Sequence, residues 1–357
     1  MNLDDLQRTK QLDADHMIDH IHAMPDHIES TWARAQTLPL PNTFAQIDKM
    51  VICGMGGSAI GGELAAAAIA DQCRVPIAVS RGYDLPAYAT GEGTLVVACS
   101  HSGNTEETLA AFALAEARGV QRMAICTGGA LRDRAQRAGV VTWTYDYAAQ
   151  PRAALGFSLA LLLALMSRLG LARDLGNDVA EAAAIMRVMT DSLRPETPAV
   201  QNPAKQLAGA LLGYIPVVYG AGIMASVARR WKTQFNENSK AWAHFEVMPE
   251  LNHNAVVGLT LPAGLKDKVR VVMLRSAFDS PRVAQRFEET AKLYQQPGVE
   301  IGVETVRAQG QSRLAQMLSA LRLGDYVSFY LAMAGGVDPT PIGPIALLKE
   351  KLGAFGG

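Results

Sequence analysis

Residues 53–62 read Cys-Gly-Met-Gly-Gly-Ser-Ala-Ile-Gly-Gly, and residues 100–108 read Ser-His-Ser-Gly-Asn-Thr-Glu-Glu-Thr. The first stretch leaves the apolar run Met50-Val51-Ile52-Cys53 and enters Ser58–Ala70, a segment of helical composition. The second leaves Thr94–Cys99 and enters Asn104–Arg118, again helical in composition. Glycines turn the chain through dihedrals closed to other residues and let a ligand approach the backbone. The amides that open the next helix then point at an anion. Gly56-Gly57-Ser58 alone also fits a dinucleotide-type loop or a plain tight turn, although it is not GxGxxG. The second stretch sharpens the reading, because Ser100, Ser102 and Thr105 place three hydroxyls within six residues at a helix start. Hydroxyls and helix amides can hold a phosphate dianion without a lysine or magnesium. The GK[ST] loop that uses those is missing here. A Ser/Thr-rich helix cap is the plainer alternative.

Outward from these loops, short apolar runs alternate with helical segments. Runs at 50–53, 75–79, 94–99 and 122–126 predict strands, and this alternation indicates an α/β fold with a parallel sheet between helices. Helical sequence fills 153–212, with a break near Arg194–Pro203. The alternation then restarts: strands are expected at 214–220, 269–274 and 299–303, and helices at 282–294 and 311–334. Val51–Ala67 (VICGMGGSAIGGELAAA) and Val217–Trp231 (VVYGAGIMASVARRW) share a loose strand–glycine turn–helix theme, which a duplication explains. The expected organisation is a helical segment at 1–45, an α/β unit at 46–150, a helical linker at 151–200, a second α/β unit at 201–335, and a C-terminal tail and helix at 336–357. Both anion-type loops follow strand carboxyl ends, where open α/β sheets bind ligands.

A net charge of -1 argues against a dedicated nucleic-acid binder. Cys53, Cys73, Cys99 and Cys126 form no CxxC pair, and they read as small buried hydrophobes in a reducing cytoplasm. The N-terminus MNLDDLQRTKQ lacks the apolar core of a signal peptide. Ala153–Leu169 is apolar but short for a membrane span, so a buried helix is expected. His16 and His20 share a helix face and invite a metal reading, but HExxH is absent and a polar face is the simpler account.

The pairing of GMGGSAIGG with SHSGNTEET resembles the signature of the sugar isomerase (SIS) domain family. That resemblance implies that Ser58, Ser100, Ser102 and Thr105, with the Gly56-Gly57 turn, hold a sugar 6-phosphate. It also implies that His101, where the subgroup commonly has tyrosine, points away from the phosphate. Four further segments choose the branch: Gln150-Pro-Arg152-Ala-Ala-Leu-Gly156, Lys232-Thr-Gln-Phe-Asn-Glu237-Asn-Ser-Lys240, Met248-Pro-Glu-Leu-Asn-His253-Asn254, and Gly336-Val-Asp-Pro-Thr340-Pro341. Together they resemble the bifunctional phosphoglucose/phosphomannose isomerase family across both α/β units and the tail. The resemblance implies two SIS-type subdomains, a metal-independent aldose–ketose isomerase without organic cofactor, and a homodimer in the cytoplasm.

Aldose–ketose isomerisation needs a ring opener, a base that moves a proton between C1 and C2, a cation for the enediolate, and an anion site. A carboxylate suits the proton shuttle. Glu237, Glu246 and Glu250 are all candidates, and the resemblance selects Glu237. Histidine can give or take a proton near neutral pH. The resemblance makes His253 the ring opener, entering from the neighbouring subunit, and makes Lys349 its helper. Arg152 offers a permanent charge on a rigid fork, suited to an enediolate. Thr340 is implied to leave space for both C2 epimers, and a turn residue capping the last helix is its plainer reading. A non-catalytic sugar-phosphate sensor would need only the hydroxyl cradle, whereas an amino-sugar or single-epimer isomerase would share the catalytic set.

Overall fold

The computed structural model describes residues 2–353. Three helices open it: α1 (Leu6–Leu12), α2 (Met17–His22) and α3 (Met24–Ala35). The first sheet follows, built from β1 (Lys49–Cys53), α4 (Gly56–Ile69), β2 (Ile77–Ser80), β3 (Thr94–Ser100), α5 (Glu106–Ala117), β4 (Gln121–Cys126), α6 (Gly129–Arg137) and β5 (Thr142–Thr144). All its pairings are parallel, in the order β2-β1-β3-β4-β5. Helices cover both faces, so all seven residues of β3 are buried and Leu95–Cys99 reads as a continuous apolar run. The strand order reverses between β1 and β3, with β2 added on one side and β3, β4 and β5 on the other, and the loops leaving β1 and β3 are the pair quoted at the outset. A crevice opens at such a switch point.

Next come α7 (Leu155–Arg168), α8 (Gly176–Leu193) and α9 (Pro203–Leu211). The second sheet comprises β6 (Ile215–Ala221), α10 (Ile223–Glu237), β7 (His244–Met248), β8 (Val269–Arg275), α11 (Pro281–Tyr294) and β9 (Gly302–Arg307), followed by α12 (Arg313–Gly335) and α13 (Gly343–Gly353). Its order β7-β6-β8-β9 repeats that of the first four strands of the other sheet, which is the duplication expected from Val51–Ala67 and Val217–Trp231. The main buried core runs unbroken through α4, α7, α8, α10 and α12 and the inward faces of both sheets. The apolar stretch Pro151–Arg168 is long enough by composition to cross a membrane, yet 78% of it lies buried inside the fold.

Two strands escaped the sequence reading. Thr142–Thr144 is a three-residue edge strand, and His244–Met248 mixes polar with apolar residues on the other sheet's edge. The strand expected at 299–303 lies instead at Gly302–Arg307. Residues 296–301 turn back onto the end of α11, with Gly298 and Glu300 in left-handed conformation (φ 88° and 49°) and Ile301 N–H donating to the Tyr294 carbonyl at 2.9 Å.

Candidate active site

Gly54 closes the end of β1 so tightly that a Cβ there would sit 2.9 Å from the Cys99 carbonyl oxygen of β3. Gly56 has φ +48° and open space around it. A Cβ on Gly57 would lie 2.7 Å from the Pro151 carbonyl oxygen. The glycine loop therefore packs directly on the turn that carries Arg152. No side chain caps the start of α4, the Ser58 and Ala59 amides donate to the Met55 carbonyl at 3.0 and 3.3 Å, and Ser58 is buried in the first turn.

On the neighbouring loop Ser100 is buried, and its Oγ lies 2.8 Å from Thr105 Oγ1 while accepting from the Gly103 amide at 3.1 Å. Ser102 is exposed, and its Oγ accepts from the Asn104 amide at 3.2 Å. Thr105 stands at the N-cap of α5 without bonding its amides. His101 faces away from these hydroxyl partners: its ring nitrogens meet Tyr145 Oη at 3.2 Å and the Ala149 carbonyl at 3.1 Å. Burial lowers its pKa from the ordinary histidine value, which favours the neutral ring.

Arg152 lies in a short 3-10 turn, Pro151–Ala154, ahead of α7 rather than within the helix, and only 1% of it is exposed. Its Nε donates to Asn238 Oδ1 at 2.6 Å, and Nη2 donates to the Pro339 and Thr340 carbonyls at 2.7 and 2.9 Å. Nη1 makes no hydrogen bond and lies 3.5 Å from Glu237 Oε2. Burial lowers the guanidinium's pKa, and Glu237 opposes that. Glu237 is the last residue of α10 and is half-buried. Thr340 does not cap α13, which starts at Gly343. Its Oγ1 is buried without a partner beside the Arg152 clamp, while its amide donates to Asp338 Oδ1 at 2.8 Å.

Two side chains and two backbone carbonyls went unnoticed in the sequence, although both side chains sit in the quoted FNENSK segment. Asn238 receives the Arg152 Nε bond and is fully buried. Lys240 has φ +55°, and its Nζ donates to the Glu237 carbonyl at 2.6 Å and to the Pro339 carbonyl at 3.0 Å. The Pro339 carbonyl is thus shared by two cations. Burial, aided by Arg152, pushes the Lys240 ammonium pKa down to about 8. The carbonyls of Pro339 and Thr340 are backbone partners that no motif announces.

His253 ends the 3-10 turn Glu250–His253 and is exposed, and Lys349 is exposed on α13. Neither makes a hydrogen bond or ion pair among the described residues, so the Arg152–Glu237–Thr340 cluster is assembled within one chain without them. Of the N-terminal histidines, exposed His16 pairs with Asp19 at 3.6 Å and His20 Nδ1 meets Tyr147 Oη at 2.6 Å, while His27 stacks on Phe157.

The profile described as "SIS domain" matches residues 43–138, and that described as "Bacterial phospho-glucose isomerase C-terminal SIS domain" matches residues 200–352. A bifunctional phosphoglucose/phosphomannose isomerase of Caldicellulosiruptor bescii is 41% identical over 337 residues, covering 94% of this chain and 98% of the relative. One from Aquifex aeolicus is 36% identical, covering 85% and 90%. The fold is also that of the Escherichia coli tagatose-6-phosphate ketose/aldose isomerase, with a TM-score of 0.70 at 16% identity over 92% of this chain and 95% of that one. Two parallel SIS sheets, the paired loops at the first switch point and identity along nearly the whole length agree: the chain belongs to the bifunctional phosphoglucose/phosphomannose isomerase family.

Proposed function

We propose that this protein interconverts glucose 6-phosphate and mannose 6-phosphate with fructose 6-phosphate, as a cytoplasmic homodimer. The observation that carries the reading is the contact between the two halves of the site. The glycine loop of the first α/β unit (46–150) packs on the Pro151–Arg152 turn, and the Arg152 Nη1 it steadies faces Glu237 from the second unit (201–335) at 3.5 Å. A phosphate on the Ser58, Ser100, Ser102 and Thr105 loops would extend the sugar's reducing end toward that pair.

In this reading His253 of a second copy and Lys349 open the ring: one group donates a proton to the ring oxygen as the C1 hydroxyl gives one up, leaving a free aldehyde. Glu237 then takes the proton from C2 as the C1 carbonyl oxygen gains negative charge. Arg152 stabilises the resulting cis-enediolate. Returning the proton to C1, with proton transfer between the two oxygens, yields the ketose, and the net change is zero in atoms and electrons. The space beside Thr340 admits either configuration at C2. The isolated position of His253 supports a donor from outside the chain, because an exposed side chain without a partner is free to enter another subunit's crevice.

The test is fructose 6-phosphate formation from each aldose phosphate, run with and without EDTA. Turnover of both sugars, unchanged by EDTA, is expected. No turnover of either would remove the proposal and leave a sugar-phosphate sensor, and turnover of one alone would restrict it to a single epimer.

A further inference from the structure

Arg152 is gripped twice, and both grips lead to the same buried residue, Asp325, one through its backbone carbonyl and the other through its carboxylate. Its side chain donates to Asn238 Oδ1. Asn238 Nδ2 donates to Ser328 Oγ at 3.0 Å, and Ser328 Oγ donates to the Asp325 carbonyl at 2.7 Å. From the Asp325 carboxylate the path returns: Arg230 Nη2 lies 3.3 and 3.5 Å from its two oxygens and donates to the Arg152 backbone carbonyl at 2.9 Å. Gln234 Nε2 adds a bond to Asp325 Oδ1 at 2.8 Å. The hydrogen bonds close a ring through α10, α12 and the Pro151–Ala154 turn, and no member is more than 2% exposed.

This ring is an expensive way to hold a core together. A buried ion pair is often no more stabilising than apolar side chains of the same volume. Asp325 is the only acid in α12, at a fully packed position where Leu or Met would not desolvate a charge. Met17, His20, Ile21 and Met24 of the N-terminal helices seal it from water, leaving a void of about 10 Å³ against Arg152, Arg230, Gln234 and Asp325. What the ring does geometrically is specific. It fixes the backbone of Arg152, its guanidinium, and Asn238, the chain neighbour of Glu237. Those are the parts whose relative placement sets the 3.5 Å approach of Arg152 to Glu237.

We propose that Arg230 and Asp325 are positioning residues for the isomerisation, acting through Arg152 and Asn238 to hold the enediolate-facing guanidinium in register with the base. The proposal rests on the reaction assigned above. Neither residue touches the sugar in this view, and the phosphate cradle lies on other loops. Their loss should therefore appear in kcat and spare KM.

The deciding variant is the double substitution Arg230→Met with Asp325→Leu, which removes both charges together so that neither is left buried alone. It is compared with wild type and Glu237→Gln by steady-state kinetics on fructose 6-phosphate and by thermal unfolding. The expected result is a folded enzyme with kcat lowered about 10–100-fold, because small misplacements of catalytic groups have that effect, and KM within about twofold of wild type. A folded double variant with kcat within about twofold of wild type overturns the proposal. Ser328→Ala opens the ring without disturbing a charge, so it carries the same test should the double variant not fold. A kcat drop of roughly 3–10-fold at constant KM supports the proposal, and an unchanged kcat overturns it. Failure of the assigned reaction looks different: wild type itself is inactive, or Glu237→Gln is fully active.

Discussion

Arg152 Nη1 stands 3.5 Å from Glu237 Oε2, and it is the one guanidinium nitrogen of Arg152 that makes no hydrogen bond. The other two are committed to Asn238, Pro339 and Thr340. The cation is therefore locked in place while one edge stays available beside the carboxylate. A rigid donor aimed at where charge develops needs no reorganisation as the reaction proceeds.

Glu237→Gln keeps the size and packing of the side chain but cannot accept a proton. Turnover should fall about 10³-fold, the scale of a lost general base. Exchange of the substrate's C2 proton with solvent should be lost to the same extent, and KM should change little.

Arg152→Lys keeps the charge and loses the fork. One ammonium cannot serve Asn238 Oδ1 and two carbonyls and still leave an edge toward Glu237. We expect kcat to drop about 10²-fold. Stability should fall by about 1–3 kcal/mol from the buried acceptors left unpaired, read by urea unfolding.

Gly57→Ala tests the seam between the glycine loop and the Arg152 turn. The new Cβ would meet the Pro151 carbonyl at 2.7 Å, so one backbone must give. Stability should fall by about 1–3 kcal/mol, and KM should rise as the loop amides shift. Gly56→Ala meets no neighbour and suffers only from its left-handed backbone, so it should leave Arg152 undisturbed.

Lys240 gives a pH signature. Its folded pKa, about 8, lies below the ordinary lysine value of 10.5. Between these values the unfolded chain binds the proton that the folded one has released. Stability from this group therefore rises as pH climbs from about 8 toward 10.5. Urea midpoints at pH 7.5 and pH 9.5 should show the rise in wild type and a smaller one in Lys240→Met.

The proposed dimer is tested by complementation. His253→Ala and Glu237→Gln should each be inactive alone. Mixed and reassociated, they should recover roughly a quarter of wild-type activity, since random pairing makes half the dimers mixed and each mixed dimer keeps one intact site. No recovery would place His253 in its own chain's site or outside the reaction.

The α/β class and the glycine and hydroxyl loops at the ends of β1 and β3 were legible in the sequence because each rests on local chemistry, whereas Glu237 was singled out from Glu246 and Glu250 only by family resemblance. Buried parallel strands need continuous apolar runs, and tight strand-to-helix turns need glycine and capping hydroxyls at the helix start. The edge strands Thr142–Thr144 and His244–Met248 were not legible, since an edge strand has one partner and tolerates polar residues. Tertiary structure alone decided what surrounds Arg152. Its partners come from positions 86, 187 and 188 residues away, and two of them are backbone carbonyls, which every residue carries. Asp325 left a faint trace, as the only acid in a largely apolar helix. Which arginine it neutralises depends on how α10 crosses α12, a matter of packing between distant segments rather than of local pattern.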